Sequence, residues 1–145
     1  MLKLGRKVEY ALISLYHLDS LDEGELVASR EIGERYKVPQ DVLGKVLQAL
    51  NRAELIVSVQ GAKGGYLLKQ PLAEIALGDV VEAVEGPVNL AKCTCRTPER
   101  VCPQQACCNI RDRVHQLQSA LNGFLFSFRL DSFTPESVMC EEPAL

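Results

Sequence analysis

Five of the six cysteines, Cys93, Cys95, Cys102, Cys107 and Cys108, fall within one stretch of sixteen residues, while Cys140 stands alone near the end. Thiolates at that density can pair as disulfides, undergo oxidation, or hold zinc, copper(I) or an iron-sulfur cluster. A structural zinc site usually presents CxxC pairs on tight turns. This segment instead offers a CxC, a Cys102-Pro103 and an adjacent Cys107-Cys108 pair, which demotes zinc without removing it. The opening Met1 to Leu18 imitates a signal peptide with Lys3, Arg6 and Lys7. Its apolar part nevertheless carries Tyr16 and His17, and no small-x-small cleavage pattern follows. The expectation is a mature, cytoplasmic protein, whose reducing surroundings favour metal or redox chemistry over structural disulfides.

Little else in the chain suits catalysis. His17 and His115 lie on expected helices far apart, no Ser or Cys has a recognisable base partner, and Gly61 to Gly65 lacks the GK[ST] ending of a phosphate loop. No enzyme is expected. No run approaches the roughly 18 apolar residues that span a bilayer, so no membrane partner is expected either.

The elements around the cysteines give them a setting. With 145 residues, 47% hydrophobic and 24% charged, the chain is one domain or two small lobes. Val8, Ala11, Leu12, Leu15 and Leu18 recur at helical spacing from about Arg6 to Leu18, and an acidic turn from Asp19 to Glu25 follows. Ser29 can cap a short helix through Tyr36, with Glu31 in the first turn where the helix dipole favours an anion. Pro39 sits where a helix can start, and Val42, Leu43, Val46, Leu47 and Leu50 then form one apolar stripe. Beyond it the period changes to that of a β-hairpin: Ile56, Val57 and Val59, a glycine-rich turn, then Tyr66-Leu67-Leu68. Three helices and a hairpin, in that order, make a winged helix-turn-helix.

A short connecting helix is expected from Ile75 to Val84, ended by Gly86-Pro87. After the aperiodic cysteine loop, a long amphipathic helix is expected from Asn109 to about Leu130. Its stripe comprises Ile110, Val114, Leu117, Leu121, Phe124 or Leu125, and Phe128. Pairing of that stripe between subunits is favoured over folding back on its own lobe, because it buries apolar surface at about 25 cal/mol per Å². The expected divisions are 1–72 for the DNA-binding module, 73–92 for the connecting helix and linker, 93–108 for the cysteine loop, 109–130 for the dimerisation helix and 131–145 for a tail. The fold class is mainly α with a small β-hairpin wing. In the tail, Thr134-Pro135-Glu136 offers one further cap.

Net charge is −3, yet residues 1–70 hold ten Lys and Arg against nine Asp and Glu, while residues 71–145 hold six against ten. Duplex DNA needs a local basic surface rather than a basic chain, so the N-terminal half stays eligible. A helix-turn-helix lays its second helix in the major groove, where Gln can pair with adenine, Asp can accept from cytosine, and Lys can meet guanine or phosphate. Gln40, Asp41, Lys45 and Gln48 occupy the outward face, and Lys63 tips the wing beside Gln60. With Ser29 they form the candidate DNA-contacting set. The alternative is that any amphipathic helix has a polar outer face and that the module binds only proteins.

Gly61-x-x-Gly64-Gly65-Tyr66-x-Leu68, Leu43-x-x-Val46-Leu47-x-x-Leu50, Tyr10-Ala11, and Glu85-Gly86-Pro87 leading into clustered cysteines together resemble the IscR/NsrR-type family of bacterial iron-sulfur winged helix-turn-helix transcriptional regulators. The resemblance covers about residues 1–130. It implies a homodimer on a palindromic double-stranded operator, and an iron-sulfur cluster, 2Fe-2S or 4Fe-4S, on Cys93, Cys102 and Cys108. Cys95 is a rival for the first position, and Cys107 is read as a neighbour. For the remaining ligand, some members use a His just after the third cysteine, where this chain has Arg111, with His115 one turn on. Others take a carboxylate from the partner's first helix, at the position of Glu9, and as the further ligand Glu9 is favoured over Cys95 or His115. The residue before Gly61 is often Arg in this family and enters the minor groove. Gln60 lacks that charge, which leaves more of the wing contact to Lys63. The function the resemblance implies is control of iron-sulfur assembly genes. The alternatives are a nitric oxide or redox-responsive repressor, a thiol-only redox regulator, and a zinc-stabilised interaction module.

Overall fold

The computed structural model describes residues 3–95 and 102–132. Residues 96–101 of the cysteine loop, the Thr134-Pro135-Glu136 cap and Cys140 lie outside the described residues. Helix α1 (Arg6–Asp19), α2 (Ser29–Tyr36) and α3 (Gln40–Arg52) precede the antiparallel hairpin β1 (Ile56–Val59) and β2 (Gly65–Leu68). Then come α4 (Leu77–Glu85) and α5 (Arg111–Ser127), with short 3-10 turns at Leu72–Glu74, Lys92–Thr94 and Leu130–Ser132. This is the expected winged helix-turn-helix with a long helix after it. No helix among the described residues is long and apolar enough to cross a membrane.

The apolar stripes meet in one core, in which Ala11 and Leu15 of α1 pack with Ile32 of α2, Leu43, Val46, Leu47 and Leu50 of α3, Ile56 of β1 and Val80 of α4. Each Leu, Ile or Val side chain among them, fully removed from water, stabilises the fold by roughly 1.5–3 kcal/mol. Between α2 and α3 the chain turns at Lys37, whose φ of 54° places it in the left-handed region, and the Val38 N–H then returns to the Gly33 carbonyl at 3.0 Å. Helix α3 spans the expected Gln40–Arg52, while α2 starts one position earlier than a cap at Ser29 would place it. Ala28 is already extended beside the paired Val27 and takes the cap position of α2, without a side-chain bond, so Ser29 is the first helical residue. Pro39 takes the cap position of α3, and its carbonyl accepts from Leu43 at 2.9 Å.

The hairpin pairs Ile56 with Leu68 and Val59 with Gly65. A third segment joins it, since Val27 and Tyr66 exchange backbone hydrogen bonds of 3.2 and 2.8 Å. That approach requires glycine at position 65, where a Cβ would stand 2.6 Å from the Val27 carbonyl oxygen.

The last helix is shorter than its stripe predicts. Phe128 turns extended, its carbonyl accepts from Leu77 at 2.9 Å, and Leu130 N–H donates to Ile75 at 3.0 Å. Pairing with the strand-like residues before α4 replaces the last helical turn. The same pairing holds Ile75 and Ala76 extended, so α4 starts at Leu77 rather than Ile75.

Candidate nucleic-acid interface and thiol segment

Burial of the α3 stripe turns the opposite face to solvent. Gln40, Asp41, Lys45 and Gln48 are all exposed there, as are Gln60 and Lys63 on the wing, while Ser29 is half-buried. Asp41 stands in the first turn of α3, where the unpaired N–H groups favour its carboxylate. Gln40 has a second occupation. Its Nε2 reaches back over Gly33 and donates to the α2 carbonyls of Ser29 and Arg30 at 3.3 and 3.5 Å. A bidentate pairing with adenine also draws on a donor of Nε2, so reading a base competes with these contacts to α2.

Two contacts outside the candidate set brace the wing. The Asn51 side-chain carbonyl accepts from the Ser58 N–H at 3.2 Å, tying the end of α3 to β1. Lys69 Nζ meets Glu54 Oε1 at 2.9 Å across the strand ends, and draws the Glu54 carboxyl below its ordinary pKa by hydrogen bond and charge. An Asn in the last turn of a helix before a strand is a weak signal, since such residues more often face only water.

The segment that carries the cysteines leaves α4 at Gly86, whose φ is 83°. Among the described residues all five cysteines are free thiols; Cys107 is exposed and the others half-buried. Cys95 Sγ lies 3.7 Å from the Ala91 carbonyl, and Cys102 Sγ donates to Gln104 Oε1 at 3.3 Å. The donor chemistry suits a soft metal or an iron-sulfur cluster. The arrangement is not a ready cage: among the described residues, no three His, Cys, Asp or Glu side chains stand together as a metal site. Glu9 pairs with Arg6 at 3.1 Å on the surface of α1, and Arg111 and His115 are exposed on α5.

Helix α5 has two unlike sides, one folded back on its own lobe and one left exposed. Gln118 is buried and Val114, Leu121 and Leu125 half-buried on the inner side. Leu121 and Leu125 close a cavity of about 410 Å³ against Val8 and Val81. Ile110, Leu117 and Phe124 recur at seven-residue intervals on the other side and are 55%, 60% and 57% exposed. The residue that the stripe conceals is Gln118, a polar side chain at an inner position.

A family model described as Rrf2, iron-dependent transcriptional regulator, matches residues 4–136. Among solved structures, the chain is similar to CymR, the global cysteine regulator of B. subtilis, at 24% identity over 90% of this chain and 95% of that one, with a TM-score of 0.66. The oxidized form of Staphylococcus aureus CymR aligns at 26% identity over 89% and 93%, with a TM-score of 0.62. T. potens IscR aligns at 22% identity over 97% and 94%, with a TM-score of 0.64.

Proposed function

We propose that this chain, which belongs to the Rrf2 family of iron-dependent transcriptional regulators, is a homodimer whose grip on a palindromic operator responds to an iron-sulfur cluster held by its cysteine segment. The regulatory activity follows from the family; the dimer, the operator and the cluster are the proposal. In it, α3 lies in the major groove, with Lys45 on a phosphate or guanine and Asp41 and Gln48 at base edges. Lys63 brings the one cationic side chain of the wing turn to the backbone or minor groove. Cys93, Cys102 and Cys108 would hold the cluster, with Cys95 or the partner's Glu9 as the further ligand. When bound, the cluster would supply an oxidisable tie between parts of the segment. The proposed targets are iron-sulfur assembly genes, on the strength of the family resemblance.

The observation that carries this reading is where the thiols sit in the chain path. The segment leaves the winged-helix lobe at Gly86 and runs directly into α5, whose outer face exposes Ile110, Leu117 and Phe124. Half-sites on DNA lie about one helical turn apart, so a small rotation at a dimer helix changes how two recognition helices fit. The segment's state and the operator's fit are then coupled.

A second reading uses the thiols without metal. It is favoured by the free thiols at the five described cysteines, and by similarity to a relative crystallised in an oxidized form. A peroxide would oxidise one thiolate to a sulfenic acid, releasing hydroxide or water, and a second thiol would condense with it to a disulfide and water. Anaerobic purification separates the readings. Brown protein containing iron and sulfide supports the first. Colourless, metal-free protein whose operator binding falls or rises with peroxide supports the second, and stoichiometric zinc supports an interaction module.

A further inference from the structure

We infer that the buried amide of Gln118 is the clasp through which the cysteine segment acts on α5, an inference that rests on the proposal that the segment's state controls operator binding. Gln118 is only 8% exposed on a helix face otherwise lined by Val114, Leu121 and Leu125. An amide in such a place is costly unless its groups are bonded, and here they are. Nε2 donates to the Val88 carbonyl at 2.8 Å and to Asn122 Oδ1 at 3.0 Å, while Oε1 accepts from the Leu90 N–H at 2.8 Å. The side chain thus gives residues 88 and 90 what a neighbouring β-strand would give an extended segment. It recognises backbone in one register, since a slip of one residue would present the wrong groups.

The thiols begin immediately beyond this clasp. Thr94 Oγ1 donates to the Ala91 carbonyl at 2.8 Å and Cys95 Sγ approaches the same oxygen, so Cys93 and Cys95 sit on a turn folded onto the residue next to Leu90. A pull on either sulfur therefore reaches Leu90 N–H and, through it, α5. On the other side of the clasp, Gly86 breaks α4 with a positive φ. Val88 there borders the cavity of about 410 Å³, which leaves space for residues 86–88 to repack. An anchor with only a packing role would be apolar at this position; Gln118 instead makes α5 sensitive to the register and order of the incoming strand.

The test uses the full-length chain carrying Gln118→Glu, which turns a carboxylate oxygen toward the Val88 carbonyl, and Gln118→Met, which keeps the volume without the polar demand and serves if the first variant does not fold. In the reduced, metal-free protein, alkylation of Cys93 and Cys95 by iodoacetamide is expected to accelerate about ten-fold in either variant, the effect of losing one buried hydrogen bond. Cys107 is expected to react at an unchanged rate. After reconstitution with iron and sulfide, the ratio of operator affinities between loaded and metal-free protein should fall to within about two-fold of unity, against a larger ratio in the unaltered chain. A packing role alone would shift both affinities together and leave that ratio intact. Unchanged alkylation or a preserved ratio in the variants overturns the clasp. A ratio of unity in the unaltered chain overturns the sensing proposal instead, with alkylation still deciding whether Gln118 holds the segment.

Discussion

The Tyr16 hydroxyl donates a 2.7 Å hydrogen bond to the carbonyl of Leu130, 114 residues along the chain. It joins the first helix of the winged-helix lobe to the turn that ends the long helix, beside Leu130's own bond to Ile75 at 3.0 Å. Burial, and then the nearby Asp131 and Asp19, push the phenol above its ordinary pKa, so it remains a donor across working pH. Tyr16→Phe removes this bond from the Leu130 carbonyl and should destabilise the fold by about 1–2 kcal/mol in chemical denaturation. A variant as stable as the parent would mean that the bond adds nothing to docking of the two parts.

The exposed row on α5 predicts subunit pairing. Leu117 is 60% exposed, so Leu117→Glu costs the isolated chain little, whereas a carboxylate in the middle of a helix pair should weaken association by about 2 kcal/mol or more. Size-exclusion chromatography with light scattering should show the variant as folded monomer at concentrations where the parent is dimer. A variant dimer of parental strength would move the interface elsewhere.

His17 ties folding to pH. It is buried, with Nδ1 3.0 Å from the Tyr36 hydroxyl and Nε2 without a hydrogen-bond partner among the described residues. Burial chiefly, then the Arg35 charge, lower its pKa, against smaller opposing effects of Glu31 and Glu25. A folded-state pKa below the unfolded value of about 6.5 means that the unfolded chain binds the proton more readily. The stability involved is present above about pH 6.5 and is lost as pH falls through the folded pKa. Melting temperature should fall between neutral and mildly acid pH, and less so in His17→Leu; parallel pH profiles would remove His17 from the account.

Lys45 should act as a phosphate contact. Lys45→Ala is expected to weaken binding to all duplex sequences alike and to lower the slope of log affinity against log salt by about 0.9, the release of one counterion. Anisotropy titrations over a range of salt give both numbers. An unchanged slope with lost sequence preference would assign Lys45 to a base edge instead.

The winged helix could be read in the chain because its signals are local. Apolar spacing in α1 and α3, the turn around Pro39 and the glycines of the wing each act within a few residues. What could not be read depends on partners distant in sequence. The α5 stripe ran on to Phe128 because Phe124, Leu125 and Phe128 keep the helical period, yet backbone pairing of 128–130 with 75–77 ends the helix earlier. The same stripe merged two faces, one buried on the lobe and one exposed, since Leu117 and Gln118 are neighbours in sequence but not in environment. Gln40 was legible as an outward residue, but its return to the α2 carbonyls was not, because the angle between two helices decides it. Cys93, Cys102 and Cys108 were legible as metal-ligand types, while their separate positions depend on loop conformation, which periodicity does not encode.

Operator affinity of the same full-length preparation, measured without oxygen before and after reconstitution with iron and sulfide, tests the central claim most directly. The account predicts an iron- and sulfide-containing form with visible absorbance whose affinity differs at least about ten-fold from that of the metal-free form, a coupling of about 1.4 kcal/mol. It also predicts that Cys102→Ala removes the absorbance and the difference while the protein stays folded and dimeric. Failure to take up iron, or equal affinity in both forms, would contradict it.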